Sequence, residues 1–360
     1  MSISQTLAIV AVLVCGSFLP LRAQNSEAST PSGRIQLTLN ADEAEAALAI
    51  LDKRAAANAI IDPDWQHLFS TEPYVRLKKR EASLHRDFTD DDFKKFVLSP
   101  ELAAKRTALR QTLDTWRQAD LNASARRVLA YLPDEAVIKA KVFPVIKPMT
   151  NSFVFDNQTD PTIFLYLDPE ESAASFENTV AHELHHIGYS SVDSLAEARL
   201  KDVPPNAKPA VEWIGAFGEG FAMLAAAGGP DVDAQATSSP KDHARWDHDL
   251  ANFNNDVASL QDFFLDVIDQ RLVGQDKINE KAYSFFGEQG PWYTVGYKMA
   301  VIVEKRFGRK TLIDCMLDPR ELLARYNEAA RELNRRNKEQ LALWSPELLQ
   351  KINSPAADTH

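Results

Sequence analysis

Residues 162–188, TIFLYLDPEESAASFENTVAHELHHIG, hold the transition on which the fold turns. Thr162 to Leu167 is a run of β-branched, aromatic and aliphatic residues with strand character. Asp168-Pro169-Glu170-Glu171 follows at once and reads as a helix start, with Asp168 as the cap, Pro169 in the first helical position and Glu171 reaching back. Phe176, Val180, Leu184 and Ile187 then recur at helical spacing, and Gly188 is placed to end the helix.

Upstream, Ala136–Ile146 (AVIKAKVFPVI) and Ser152–Phe155 are two more strand candidates, separated from the third by the turn-forming Asp156-Asn157 and Asp160-Pro161. Before them, residues 35–135 read almost wholly as helices. Asn40 caps a stretch running to about Asn58. Thr89, with Asp92 three residues on, caps a short helix. Ser99-Pro100-Glu101 opens another that runs to about Gln118. The charged run Arg76-Leu77-Lys78-Lys79-Arg80, close to Glu81 and Asp87, reads as a solvated helix face. Downstream lie three helical stretches: Pro209–Ala227, closed by Gly228-Gly229-Pro230; Asp249–Leu272; and a helix opened by Gly290-Pro291 and continuing to Phe307-Gly308. The pattern predicts an α+β fold, mainly helical, with one small sheet, a helical N-terminal region at 35–135 and a second region at 136–360.

Composition narrows the function classes. The 360 residues carry 40 Lys+Arg against 51 Asp+Glu, a formal charge of -11, with no basic stripe, which argues against nucleic acid as a partner. Leu7–Leu21 is an interrupted apolar run followed by Leu21-Arg22-Ala23, so residues 1–23 read as a secretory signal peptide and 24–34 as a flexible leader. The expected location is outside the cytoplasm, periplasmic or secreted, with no transmembrane span in the mature chain. Cleavage removes Cys15 and leaves Cys315, so no internal disulfide can form and stability must come from the core.

His182-Glu183-Leu184-His185-His186 is an HExxH sequence on the central helix. Two histidines four apart project from one face and can bind one zinc ion, and Glu183 beside them can activate a metal-bound water as general base. In a chain of this composition about 0.025 such matches are expected by chance. His185, about 100° round the helix from His186, reads as a packing residue. A catalytic zinc site needs a third protein ligand and an open position. Within Pro209–Ala227 the acidic choices are Glu212 and Glu219. Glu219 is preferred because Gly218, Gly220 and Ala222 would let its helix approach the metal helix closely, leaving Glu212 as support or bystander. Tyr293 and Tyr297 share one helix face, and either hydroxyl suits an oxyanion donor. Gly228–Asp242 reads as a lid or a surface excursion, His243 and His248 as surface or substrate-pocket histidines, and Cys315 as a buried structural residue.

His182-Glu183-xx-His186, Glu219 in Gly-Glu-Gly-Phe-Ala, and Tyr293-xx-Gly296 together resemble the gluzincin metallopeptidases. More closely, the chain resembles an uncharacterised bacterial family of zinc-dependent peptidases, over about residues 137–325. The resemblance implies a zincin-like core in 136–360 and one zinc per chain on His182, His186 and Glu219. It further implies Glu183 as the base and Tyr293, in preference to Tyr297, as the oxyanion donor. Two departures stand out. Residues 187–218 make a longer gap than usual, and the Gly-x-Met-Glu-Asn motif that binds the substrate amine in gluzincin aminopeptidases is absent. The expected activity is hydrolysis of peptide or protein substrates. Alternatives are a zinc hydrolase of another substrate or a non-catalytic, zinc-stabilised surface binding protein. The strand Ser152–Phe155 could align an extended peptide by strand addition.

Overall fold

The computed structural model describes residues 33–336 and 340–353. The signal segment 1–23 and residues 24–32 of the leader lie outside them. The chain divides into two compact units, one of residues up to Ser124 with Ile138–Glu183, the other of Ala125–Val137 with Leu184 onward.

The first unit contains β1 (Ile35–Leu39), α1 (Asp42–Ala55), α2 (Asp62–Ser70), α3 (Glu72–Ser83), α4 (Asp90–Val97) and α5 (Pro100–Trp116). After α6 (Leu121–Leu129), which crosses into the second unit, come β2 (Ile138–Val145), β3 (Phe153–Phe155), β4 (Thr162–Tyr166) and α7 (Ala173–Ser190). The sheet order is β1-β2-β4-β3. β1, β2 and β4 are parallel, with Ile35 opposite Ile138 and Val142 opposite Ile163, while β3 lies antiparallel to β4 at one edge. β1 corrects the almost wholly helical reading of 35–135. IQLTL alternates, but it is five residues long and only half buried, and pairing with the distant β2 is what makes it a strand.

Local capping follows the sequence at two helices: the Thr89 and Ser99 hydroxyls accept from the backbone N–H groups of Asp92 and Leu102. At α7 it does not. Asp168 caps only a turn, accepting from Glu170 N–H, and Ser172 is the side chain that accepts from Ser175 N–H at the helix start. The helix also continues through Gly188 to Ser190.

Phe143, Phe153 and Phe164 from the sheet pack with Leu77 of α3, and Trp116 of α5 stacks on Phe176 of α7 at 4.3 Å between ring centroids. The run from Arg76 to Arg80 is therefore not one solvated face. Arg76 is buried and pairs with Asp156 and Asp160 in the β3–β4 turn, and Arg80 lies over the Phe153 ring. Lys78 and Lys79 remain exposed.

The second unit contains α8 (Asp193–Arg199), α9 (Lys208–Ile214), a 3-10 turn (Gly215–Phe217), α10 (Gly218–Ala227) and α11 (Pro240–Ala251). It continues with α12 (Phe253–Ile268), α13 (Gln275–Tyr283), α14 (Pro291–Phe307), α15 (Arg309–Leu317), α16 (Pro319–Arg336) and α17 (Pro346–Asn353). Trp292 anchors its core. The ring is fully buried among Phe217, Phe263, Phe264 and Phe285, and its Nε1 donates to Ala282 O at 2.9 Å. Two expected helices are each broken, at the Gly215–Phe217 turn and at Asn252. Lys208–Ala227 is long and apolar enough to compare with a membrane span, and 67% of its most apolar window is buried inside the protein, as in a core helix.

At the carboxyl ends of β1 and β2, Glu43 is fully buried. Its Oε2 accepts from Ile146 N–H at 2.8 Å, and Lys147, also buried, donates to Asn151 Oδ1 at 2.8 Å. Burial pushes the Glu43 carboxyl up to about 8 and the Lys147 ammonium down to about 7. A carboxyl with a raised folded-state pKa favours the folded state while protonated, so its contribution is lost as pH rises through about 8. Glu43→Gln keeps an acceptor for Ile146 and cannot ionise. Its melting temperature relative to wild type should therefore rise between pH 5 and pH 8. Glu43→Ala, which strands the Ile146 donor, should cost about 1–3 kcal/mol at either pH. Thermal melts of both variants at the two pH values check this.

Candidate metal centre

The division between the units passes through α7, between Glu183 and Leu184, within one continuous helix. At 3.6 residues per turn, His182 and His186 stand one above the other on it. Glu219 sits in the first turn of α10. One ligand atom each from His182, His186 and Glu219 lies within 4.8 Å of the others, the one such grouping of three among the described residues. His186 Nε2 and Glu219 Oε2 are 3.2 Å apart. His182 and Glu219 are buried, His186 is half-buried, and Glu183, next to His182, is fully buried.

Two imidazoles and one carboxylate within 4.8 Å of one another are a donor set of the kind that a catalytic zinc site uses, and the buried carboxylate offers the negative charge that a divalent cation requires. The residues fit the ion. Glu212 is exposed and outside the grouping. The 3-10 turn Gly215–Phe217 lies between it and Glu219.

The glycines around Glu219 act differently from the sequence expectation. Gly220 faces α14, not the metal helix: a Cβ there would lie 2.0 Å from Tyr297 N, and one on Gly296 would lie 2.6 Å from Phe217 O. The two backbones touch at this crossing, immediately beside Glu219. Gly218 has nothing close by.

Tyr293 is buried in a cluster with Met223, Ala234 and Trp246, and the half-buried Tyr297 packs against it. Met223 lies one helical turn after Glu219 on α10, so the cluster sits one turn along from the carboxylate. The Tyr297 hydroxyl donates to Val232 O at 3.4 Å and is thereby tied to the loop after α10. That loop is packed, with Ala234 and Gln235 buried and Ser238 bonded to Gln235. His243 lies near Asp233 and Asp247, and His248 is exposed. His185 is buried and, with His186 and Tyr189, lines a small pocket closed by Phe217, Phe221 and Met316. Cys315 borders the same pocket, and burial raises its thiol to about 12, which leaves it unreactive at neutral pH.

Glu171 is the residue that the sequence reading misplaced. Its Oε1 accepts from Ser175 Oγ at 3.0 Å and Thr179 Oγ1 at 3.4 Å instead of capping the helix. Ser175, Thr179, His182 and His186 follow one another at three- and four-residue steps, so they share one face of α7. The signal was present as a polar stripe opposite Phe176, Val180 and Leu184.

Because Gly220 permits the α10–α14 contact, Gly220→Ala should destabilise the protein by about 3 kcal/mol and weaken zinc retention together with it. Gly218→Ala, where the added methyl meets open space, should leave both close to wild type. Thermal melts and metal analysis of the two purified variants test the distinction.

No curated protein and no solved structure matches the chain. Residues 65–335, more than half of it, match the family DUF5700, described as "Putative zinc dependent peptidase". The match includes α7 and α10, and with them His182, Glu183, His186 and Glu219. The chain belongs to this family.

Proposed function

We propose that the protein is an exported zinc-dependent peptidase that holds one zinc on His182, His186 and Glu219 and hydrolyses peptide bonds. The observation that carries this reading is that two imidazoles on α7, which also bears Glu183, lie within 4.8 Å of the buried Glu219 carboxylate on α10. The family description supports it. A mixed sheet whose last strand runs directly into the metal helix is compatible with a zincin-like core. The antiparallel edge strand β3 offers a row of backbone groups along which an extended substrate could pair. Export rests on residues 1–23.

His182, His186 and Glu219 would hold the zinc, which would supply Lewis-acid polarisation of a water and of the scissile carbonyl. Glu183 takes the proton from that water and delivers it to the departing amine. Its burial removes competing solvent and strengthens each charge interaction it makes. The Tyr293 hydroxyl donates to the oxygen on which negative charge develops. His182 and His186, carried on one rigid helix, keep their spacing throughout.

Purified mature protein should contain about one zinc per chain, retained in Glu212→Gln and lost in Glu219→Ala. Glu183→Gln should keep the metal and lower kcat on any cleaved peptide by about 10³-fold. A Glu183→Gln variant with full activity would sink the mechanism. Tyr293→Phe should cost about 10²-fold in kcat with KM little changed, against a near-neutral Tyr297→Phe. Turnover of esters or glycans with no peptide cleaved would move the protein to a different hydrolase class. Unfolding on zinc removal, with no turnover of anything, would make it a zinc-stabilised binding protein.

A further inference from the structure

Glu171 is half-buried in the turn two residues before α7, and it forms no ion pair among the described residues. Both of its hydrogen bonds, from Ser175 and Thr179, fall on Oε1, so Oε2 accepts none. Asp168 carries the same sign, and burial followed by Asp168 pushes the carboxyl up to about 7. A carboxylate in that setting is stabilised by an incoming cation, which offsets both effects. The two hydroxyls hold Oε1 in place, so the orientation is set before any ligand arrives.

The position is as informative as the chemistry. Thr179 precedes His182 by three residues, about 4.5 Å along the axis, on the face that carries the metal-ligating histidines. An extended peptide advances about 3.3 Å per residue. A chain lying along this face, with its scissile bond at the metal centre, would bring a group within about three residues of that bond to Glu171. The side chains between, Thr179 and Ser175, are small, polar and half-buried, so no bulky side chain interrupts the stripe.

We propose that Glu171 anchors the substrate: its carboxylate binds an ammonium group of the peptide, either the free amino terminus or a lysine side chain, within three residues of the scissile bond. This rests on the peptidase reading above and narrows it to substrates cationic at one defined position.

The test has two readouts. In the first, kcat/KM is measured on matched peptides with a free or acetylated amino terminus, and with lysine or norleucine at each of the three positions on either side of the cleaved bond. Wild type should favour one cationic member over its neutral partner by about tenfold, mostly through KM, the worth of one charge-assisted hydrogen bond. Glu171→Gln should bring that ratio to about one, and Glu171→Asp, which keeps the charge but retracts it, should fall between. Whichever pair shows the ratio identifies the source of the cation. In the second, the same pairs are titrated into zinc-loaded Glu183→Gln protein, with and without Glu171→Gln, so that binding is read without turnover. Equal affinity for cationic and neutral partners overturns the proposal, as does a Glu171→Gln change that weakens both alike. Zinc content and melting temperature of each variant identify a misfolded protein, in which case the Glu171→Asp ratio decides. Failure of the peptidase reading has a different signature: no peptide is cleaved by wild type, whatever its charge.

Discussion

Glu219 sets the terms for the second unit. Taking a carboxylate out of water costs several kcal/mol unless partners of complementary charge or hydrogen-bonding capacity face it. Here it is 3% exposed and faces the imidazole of His186 at 3.2 Å. Holding it there requires α10 to be positioned to a fraction of an ångström, and that positioning comes from backbone, not side chains. Gly220 and Gly296 remove the two Cβ atoms that would hold α10 and α14 apart. Glu219 is buried while Glu212, on the other side of the 3-10 turn Gly215–Phe217, is exposed. Glycines inside helices cost about 1 kcal/mol each in propensity, a cost offset by the contact they allow.

The first unit solves a different problem, that of anchoring the helix that carries the histidines. β4 leads into α7 through the short turn at Asp168–Ser172, and Trp116 stacked on Phe176 fixes the first half of the helix. The apolar face of α7 is thereby committed to packing. The opposite face keeps its polar stripe from Ser175 to His186. One amphipathic helix thus serves both stability and chemistry, and its 3.6-residue period separates the two.

Much of this was legible in the residues. Three of the four strands, the caps at Thr89 and Ser99, and the metal motif all depend on neighbours within a few positions, where periodicity and capping chemistry are informative. β1 was not legible, because IQLTL acquires its hydrogen-bond partners from residues a hundred positions away. The buried role of Arg76 was hidden for the same reason: its partners Asp156 and Asp160 belong to a turn that tertiary structure brings to it. The breaks at Gly215 and Asn252 went unseen because apolar spacing alone does not register a change of helix type.

The sequence by itself determined two histidines and a glutamate on one helix, an acidic residue with small neighbours downstream, and a fold of helices around a small sheet. Tertiary structure alone decided that Glu219, and not Glu212, lies with the two histidines, which helix the glycines serve, and that Glu171 bonds Ser175 and Thr179 instead of capping α7. The physical reason is range. Residues three or four apart on a helix have a geometry fixed by the backbone, so their spacing can be read directly. Glu219 meets His186, and Gly220 meets Gly296, only after the chain between them has folded, and no local pattern encodes that distance.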